Sequence, residues 1–213
     1  MEFLLSLVDL VLHLDKHLAA LLQQYGTMIY VLLFIIVFCE TGLVVTPFLP
    51  GDSLLFVSGA LWAAGGLDVH ALMATLIGAA LLGDNCNYWI GRFIGPRVFR
   101  WENSRFFNRK ALDYTHAFYE RHGGKTLIIA RFLPLVRTFA PFVAGVGHMR
   151  YSRFIAFSVV GALVWVVSLV YAGYFLGNIP VVKQNLSVVI LSIIAISLLP
   201  LLIQYLRSRT RRA

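Results

Sequence analysis

The chain is short of charge. Asp, Glu, Lys and Arg make up 13% of its 213 residues, hydrophobic residues 59%, and the mean hydropathy is +0.79. A soluble domain carries about 25% charged residues. The balance here excludes an ordinary soluble fold and points to an all-α integral membrane protein. Cysteine is nearly absent: Cys39 and Cys86 both sit in apolar runs. Two are too few for a disulfide framework or a cysteine metal site, so no metal site and no cofactor is expected. Catalytic signatures are missing too. There is no His-Glu-x-x-His, no Gly-x-Ser-x-Gly and no Gly-rich phosphate loop with Lys, so an enzyme is not expected. The N-terminus does not read as a cleaved signal: Glu2 is acidic and no Lys or Arg precedes Lys16. The length suits one membrane domain, residues 1–213, with no separate soluble domain of ordinary size.

Positive charge is scarce in the first half. Before Arg92 the only Lys or Arg is Lys16, yet the net charge is +8. The basic residues fall in blocks between apolar runs, a pattern of membrane orientation rather than of nucleic-acid binding. Arg92, Arg97, Arg100, Arg105, Arg109, Lys110, Arg121 and Lys125 form one block, and Arg207 to Arg212 another. The positive-inside rule places 92–125 and the C-terminal tail in the cytoplasm. Within the first block, 108–122 reads as a surface helix between Asn108 and Gly123-Gly124.

Apolar runs supply the candidate spans. Residues 3–24 have helical periodicity, but Asp9, His13, Asp15, Lys16 and His17 crowd the middle. An interfacial helix and a span both fit. Residues 27–46 carry Glu40, and Pro47, Pro50 and Gly51 then form a tight turn ending at Asp52. A second arm follows to Ala64. Residues 69–91 form a span containing Asp84, and 154–177 and 186–206 form two more.

Counting crossings gives a constraint. With the tail inside, the 178–185 loop is outside and 154–177 starts inside. Since 92–125 is also inside, 126–149 enters and leaves on the cytoplasmic face. Its prolines, Pro134 and Pro141, agree, because each removes a backbone donor. Broken backbone at membrane depth survives only in protein or beside a wet cavity. In the first half, the Pro47–Asp52 hairpin enters from outside. The expected architecture is an inverted repeat: two opposed re-entrant helical hairpins plus three or four transmembrane helices. Half one is 27–92, half two is 126–177. Short echoes support it: Phe48-Leu49-Pro50 recurs as Phe132-Leu133-Pro134, and Gly91-Arg-Phe93-Ile-Gly95 as Gly173-Tyr-Phe175-Leu-Gly177. Such symmetry sets a substrate site between the halves.

Arg131 and Arg137 lie in the second hairpin. On one helix they would be about 600° apart and on different faces; a break at Pro134 can bring them together. Two guanidiniums in a cavity suit a phosphate. The competing readings are snorkelling to headgroups, or a structural ion pair with Glu40 or Asp52. Glu40 and Asp52 in turn read as proton-coupling acids or as those permanent partners. Both readings require the hairpins to meet. Asp84 reads as a pocket residue or, preferably, as a structural one bonding through Asn85, Asn87 and Tyr88, with Arg92 eight residues on. His122 and His148 read as surface residues.

Phe38-Cys-Glu40-Thr-Gly-Leu-Val-Val-Thr-Pro47-Phe-Leu-Pro50-Gly51-Asp52, Gly83-Asp84 with Tyr88 and Gly91-Arg92, Phe118-Tyr-Glu-Arg-His122-Gly123-Gly124, and Ala130-Arg131-Phe-Leu-Pro134-Leu-Val-Arg137-Thr-Phe-Ala-Pro141 through Gly145 together resemble the DedA family over nearly the whole chain. The resemblance implies a multi-pass protein of the bacterial inner membrane, its two re-entrant hairpins forming a lipid flippase or scramblase. It implies undecaprenyl phosphate or phosphatidylethanolamine as the lipid, with proton-motive force as a linked driver. The family's acidic and arginine positions match Glu40, Asp52, Arg131 and Arg137. Implied alternatives are a proton-coupled exporter of cationic drugs and a non-transporting envelope-homeostasis factor. Expected partners are membrane lipids and protons, with no nucleic acid; a homo-oligomer is left open.

Overall fold

The structure, a computed structural model, describes residues 18, 20–21, 24–43, 51–65, 67–98, 124–131, 134–177, 179 and 192. Among them every regular element is a helix. A 3₁₀ turn, Gly26–Met28, leads into α1, Ile29–Gly42. There follow α2, Gly51–Gly65; α3, Val69–Val98; α4, Lys125–Ala130; α5, Pro134–Val146; and α6, Tyr151–Leu176.

Length separates these helices into two kinds. Val69–Ile94 of α3 and all of α6 are apolar runs of 26 residues, about 39 Å at 1.5 Å per residue. That exceeds the roughly 30 Å of bilayer hydrocarbon. Among the described residues the structure is therefore all-helical, with two helices long and apolar enough to cross a membrane. The helices α1, α2, α4 and α5 have 14, 15, 6 and 13 residues, about 9 to 22 Å each. None of them alone covers that thickness. The helix α3 continues past Arg92 to Val98, beyond the end expected from hydropathy at 91. An apolar run marks where side chains suit lipid, while the backbone ladder continues through polar residues.

The chain divides into two compact units, Met1–Leu33 with Pro50–Thr75 and Val166–Ala213, and Phe34–Leu49 with Leu76–Trp165. In the first unit α2 packs on the later part of α6. A Cβ on Gly59 would collide with the Val170 carbonyl, and one on Gly173 with the Phe56 carbonyl. Trp62 is fully buried, and its Nε1 donates to the Tyr30 hydroxyl at 2.9 Å.

In the second unit α5 packs on the later part of α3. A Cβ on Gly91 would collide with the Phe142 carbonyl, and one on Gly145 with the Tyr88 carbonyl. The same device thus occurs in each unit: a long helix and a short one, one glycine from each, and each glycine three residues from the carbonyl that its partner approaches. Small residues let backbones close where lipid supplies no hydrophobic drive. Gly91 and Gly173 hold equivalent places in the sequence echo. Around this crossing Tyr88, Leu127, Ala130, Ala140, Ala144, Met149 and Phe154 form an apolar cluster. The Tyr88 and Phe154 rings stack at 4.3 Å.

The end of α5 is fixed by a reversal of the chain. His148 adopts φ +53°, the left-handed region more usual for glycine. Its N–H donates to the Gly145 carbonyl at 3.1 Å, and that of Met149 to the Ala144 carbonyl at 3.0 Å. These are the two bonds of a Schellman cap. The cap leaves the Met149 carbonyl to accept the Tyr88 hydroxyl at 2.6 Å, tying the start of the α5–α6 connection to α3.

Candidate functional site

The second unit buries four charges. Arg131 and Arg137 stand on either side of the break between α4 and α5. The Arg131 N–H closes the last turn of α4 on the Ile128 carbonyl at 3.2 Å. Pro134 opens α5, where its missing donor costs nothing. Inside α5, Pro141 lacks the N–H that would donate to the Arg137 carbonyl. Arg131 is 4% exposed and Arg137 5%, so both must be met by protein.

Each guanidinium meets one carboxylate. Arg131 Nη2 bonds Asp84 Oδ2 on α3, which also accepts the Ser158 hydroxyl from α6. Arg137 Nη2 bonds Glu40 Oε1 on α1 at 2.5 Å. Both guanidiniums also lie over one ring. The Trp165 centroid is 5.7 Å from the Arg131 carbon and 4.6 Å from that of Arg137. Two positive and two negative side chains sum to zero, as burial in low dielectric requires. Arg131 Nη1 has no hydrogen-bond partner among the described residues.

Local sequence accounts for this convergence. On α6, Gly161 faces the Arg131 side chain: a Cβ there would be 3.2 Å from Nε. Gly42 and Gly83 bring α1 against α3, since a Cβ on Gly42 would lie 3.2 Å from the Gly83 Cα. Asn87, fully buried, donates from Nδ2 to the Thr41 carbonyl at 3.1 Å and the Thr138 carbonyl at 2.6 Å. One amide therefore holds the backbone beside Glu40 and the backbone beside Arg137.

Asp84, Leu127, Arg131, Arg137, Ala140, Pro141, Phe154 and Ser158 line a cavity of about 10 Å³. That is room for about one water. A phosphate needs several times this space.

A family model for the VTT domain matches residues 49–175, a range that holds Asp84, Arg131, Arg137, Ser158 and Trp165 but not Glu40. The chain belongs to the VTT-domain (DedA) family. It is 54% identical to protein DedA of Escherichia coli K12, covering 100% of this chain and 98% of that protein. An uncharacterized membrane protein of Mycobacterium leprae is 49% identical over 79% of this chain and 76% of its own length. Inner membrane protein YqjA of E. coli K12 is 36% identical, covering 85% and 82% respectively. No solved structure matches the chain.

In this VTT-domain protein the residues singled out from sequence are distributed unevenly. Arg131, Arg137, Glu40 and Asp84 come together. Asp52 is half-buried in the first turn of α2. Tyr88 and Arg92 sit beside the site as supports. Arg92 Nη1 donates to the Tyr88 hydroxyl at 3.0 Å, with its guanidinium over Trp89. Gly51 opens α2, Pro134 opens α5, and Pro141 lines the cavity. His148 is exposed. Pro47, Pro50, His122, 108–122 and the tail lie outside the described residues, as do nearly all of 3–24 and 186–206. Sequence reasoning missed Trp165 and Ser158. A signal existed for the first: tryptophan favours membrane interfaces, and Trp165 falls in the middle of α6.

Proposed function

We propose that this protein is an inner-membrane lipid translocase that moves a phosphate-bearing lipid between leaflets, with Arg131 and Arg137 receiving the phosphate. The observation that carries this reading is two guanidiniums beside one buried indole ring, with an Arg131 donor left over. A single structural ion pair needs one arginine. Two converging forks match the several oxygens of a phosphate. Undecaprenyl phosphate and phosphatidylethanolamine are the lipids of choice. On this reading Glu40 and Asp84 are placeholders that swing aside as the phosphate enters and its tails stay in the bilayer.

Charge balance gives protons a part. The four side chains are neutral together, and an entering phosphate adds negative charge in a poorly hydrated interior. Uptake of a proton by Glu40 or Asp84 restores the balance. Asp52, in the first turn of α2, is the further candidate for proton coupling. The short pairs α1–α2 and α4–α5 serve as the two re-entrant hairpins, and the repeated glycine crossing supports an inverted repeat. The tail is assigned to the cytoplasm by its charge. The YqjA name supports an inner-membrane location.

The test uses purified protein in liposomes, with labelled polyprenyl phosphate and phosphatidylethanolamine in competition. Wild-type protein is expected to equilibrate one of them between leaflets, and Arg131→Ala or Arg137→Ala to abolish transfer while remaining folded. Normal transfer by both variants refutes the assignment.

A second reading, a non-transporting role in envelope homeostasis, draws on a different observation. Each arginine already has a carboxylate, and the cavity holds about one water. Exchanging the charges, Glu40→Arg with Arg137→Glu, preserves such a lock and moves a phosphate ligand. Retained cellular function in the exchanged protein favours the lock; loss of function in a folded protein favours transfer.

A further inference from the structure

We infer that Trp165 is a positioning residue whose indole face keeps Arg131 and Arg137 convergent once Glu40 and Asp84 let go of them. The inference rests on the phosphate-transfer reading and adds a device that reading lacks. The two carboxylates sit on separate helices, Glu40 on α1 and Asp84 on α3; Glu40 bonds Arg137 and Asp84 bonds Arg131. Without them two like charges face each other in a poorly screened interior and repel. Something must hold them together in the interval before the phosphate binds.

Trp165 has the properties for that task. It is 1% exposed and touches both guanidiniums, at 5.7 and 4.6 Å. The negative face of an indole attracts cations, most strongly when water is excluded. It offers no acceptor lone pair in the plane of the forks, so the guanidinium N–H groups remain available to oxygens. It stands on α6, a helix of 26 residues, and so does not depend on the broken segment that carries the arginines. Gly161, four residues earlier on α6, gives the Arg131 side chain its space. The two residues make one seat: room at Gly161 and attraction at Trp165.

The experiment separates ring electronics from ring volume. Tryptophan bearing one to four ring fluorines is installed at position 165. Fluorine withdraws electron density from the face and barely changes shape. The concentration of labelled polyprenyl phosphate giving half-maximal transfer is measured in liposomes, beside Trp165→Phe and Trp165→Leu. It is expected to rise with each fluorine, by about tenfold across the series, with a smaller change in maximal rate and Phe between Trp and Leu. A flat fluorine series, or Phe equal to Leu, overturns the inference. If the wild-type protein moves no phosphate-bearing lipid, the transfer reading fails and a second measurement decides this one. Side-chain NMR of ¹⁵N-arginine protein is recorded for Glu40→Gln/Asp84→Asn. Ring-current shifts kept on both guanidiniums support the seat; their loss from either one overturns it.

Discussion

Replacing Glu40 by Met takes its carboxylate away from a buried guanidinium, that of Arg137. Arg137 is 5% exposed and Glu40 1%, so water cannot take over from the lost carboxylate. Removing one partner of a buried pair costs about 3–5 kcal/mol. The reciprocal change, Arg137→Met, takes the guanidinium from buried Glu40 and is expected to cost a similar amount. The double variant removes both charges and leaves two flexible apolar side chains of similar length. Buried pairs replaced in this way are often neutral in stability, so the double is expected within about 1 kcal/mol of wild type. The coupling energy from the cycle is then about 5 kcal/mol or more. Unfolding in mixed micelles by SDS titration measures it. A Glu40→Met cost below about 1 kcal/mol refutes the claim that the pair is desolvated and mutually dependent. So does a double variant no more stable than either single. The same double also tests function, because it is expected to be folded and inactive in lipid transfer.

Three further outcomes follow from named contacts. Gly145→Ala drives a methyl group into the Tyr88 carbonyl and is expected to destabilise by about 1–3 kcal/mol. Gly78→Ala on α3 meets nothing within 4 Å and is expected to stabilise by up to about 1 kcal/mol; equal effects of the two in the same unfolding assay would contradict the close crossing. Tyr88→Phe removes the donor to the Met149 carbonyl and the acceptor for Arg92, with an expected loss of about 1–3 kcal/mol and faster amide exchange at 147–150. Asn87→Leu takes the shared amide from the Thr41 and Thr138 carbonyls. It is expected to cost about 1–3 kcal/mol and to slow lipid transfer; an unchanged rate would show that the amide does not hold the Glu40–Arg137 geometry.

The sequence by itself determined the local properties. Apolar content and run length made the chain helical and membrane-bound, since an isolated backbone in lipid can satisfy its N–H and C=O groups only within a helix. Pro134 announced where the helix breaks between α4 and α5, because proline removes the same donor in any context. The motifs around Glu40, Asp84, Arg131 and Arg137 marked the embedded charges and the family. Pairing was another matter. Arg131 finds Asp84 across 47 residues, and Arg137 finds Glu40 across 97. Spacing carries no information at such separations. Tertiary structure decided these matches through the glycine contacts that set which helices touch and at what height. It also decided that Trp165, unremarked in an apolar run, faces both cations, because the side of a buried helix that meets a charge depends on its neighbours and not on its own sequence.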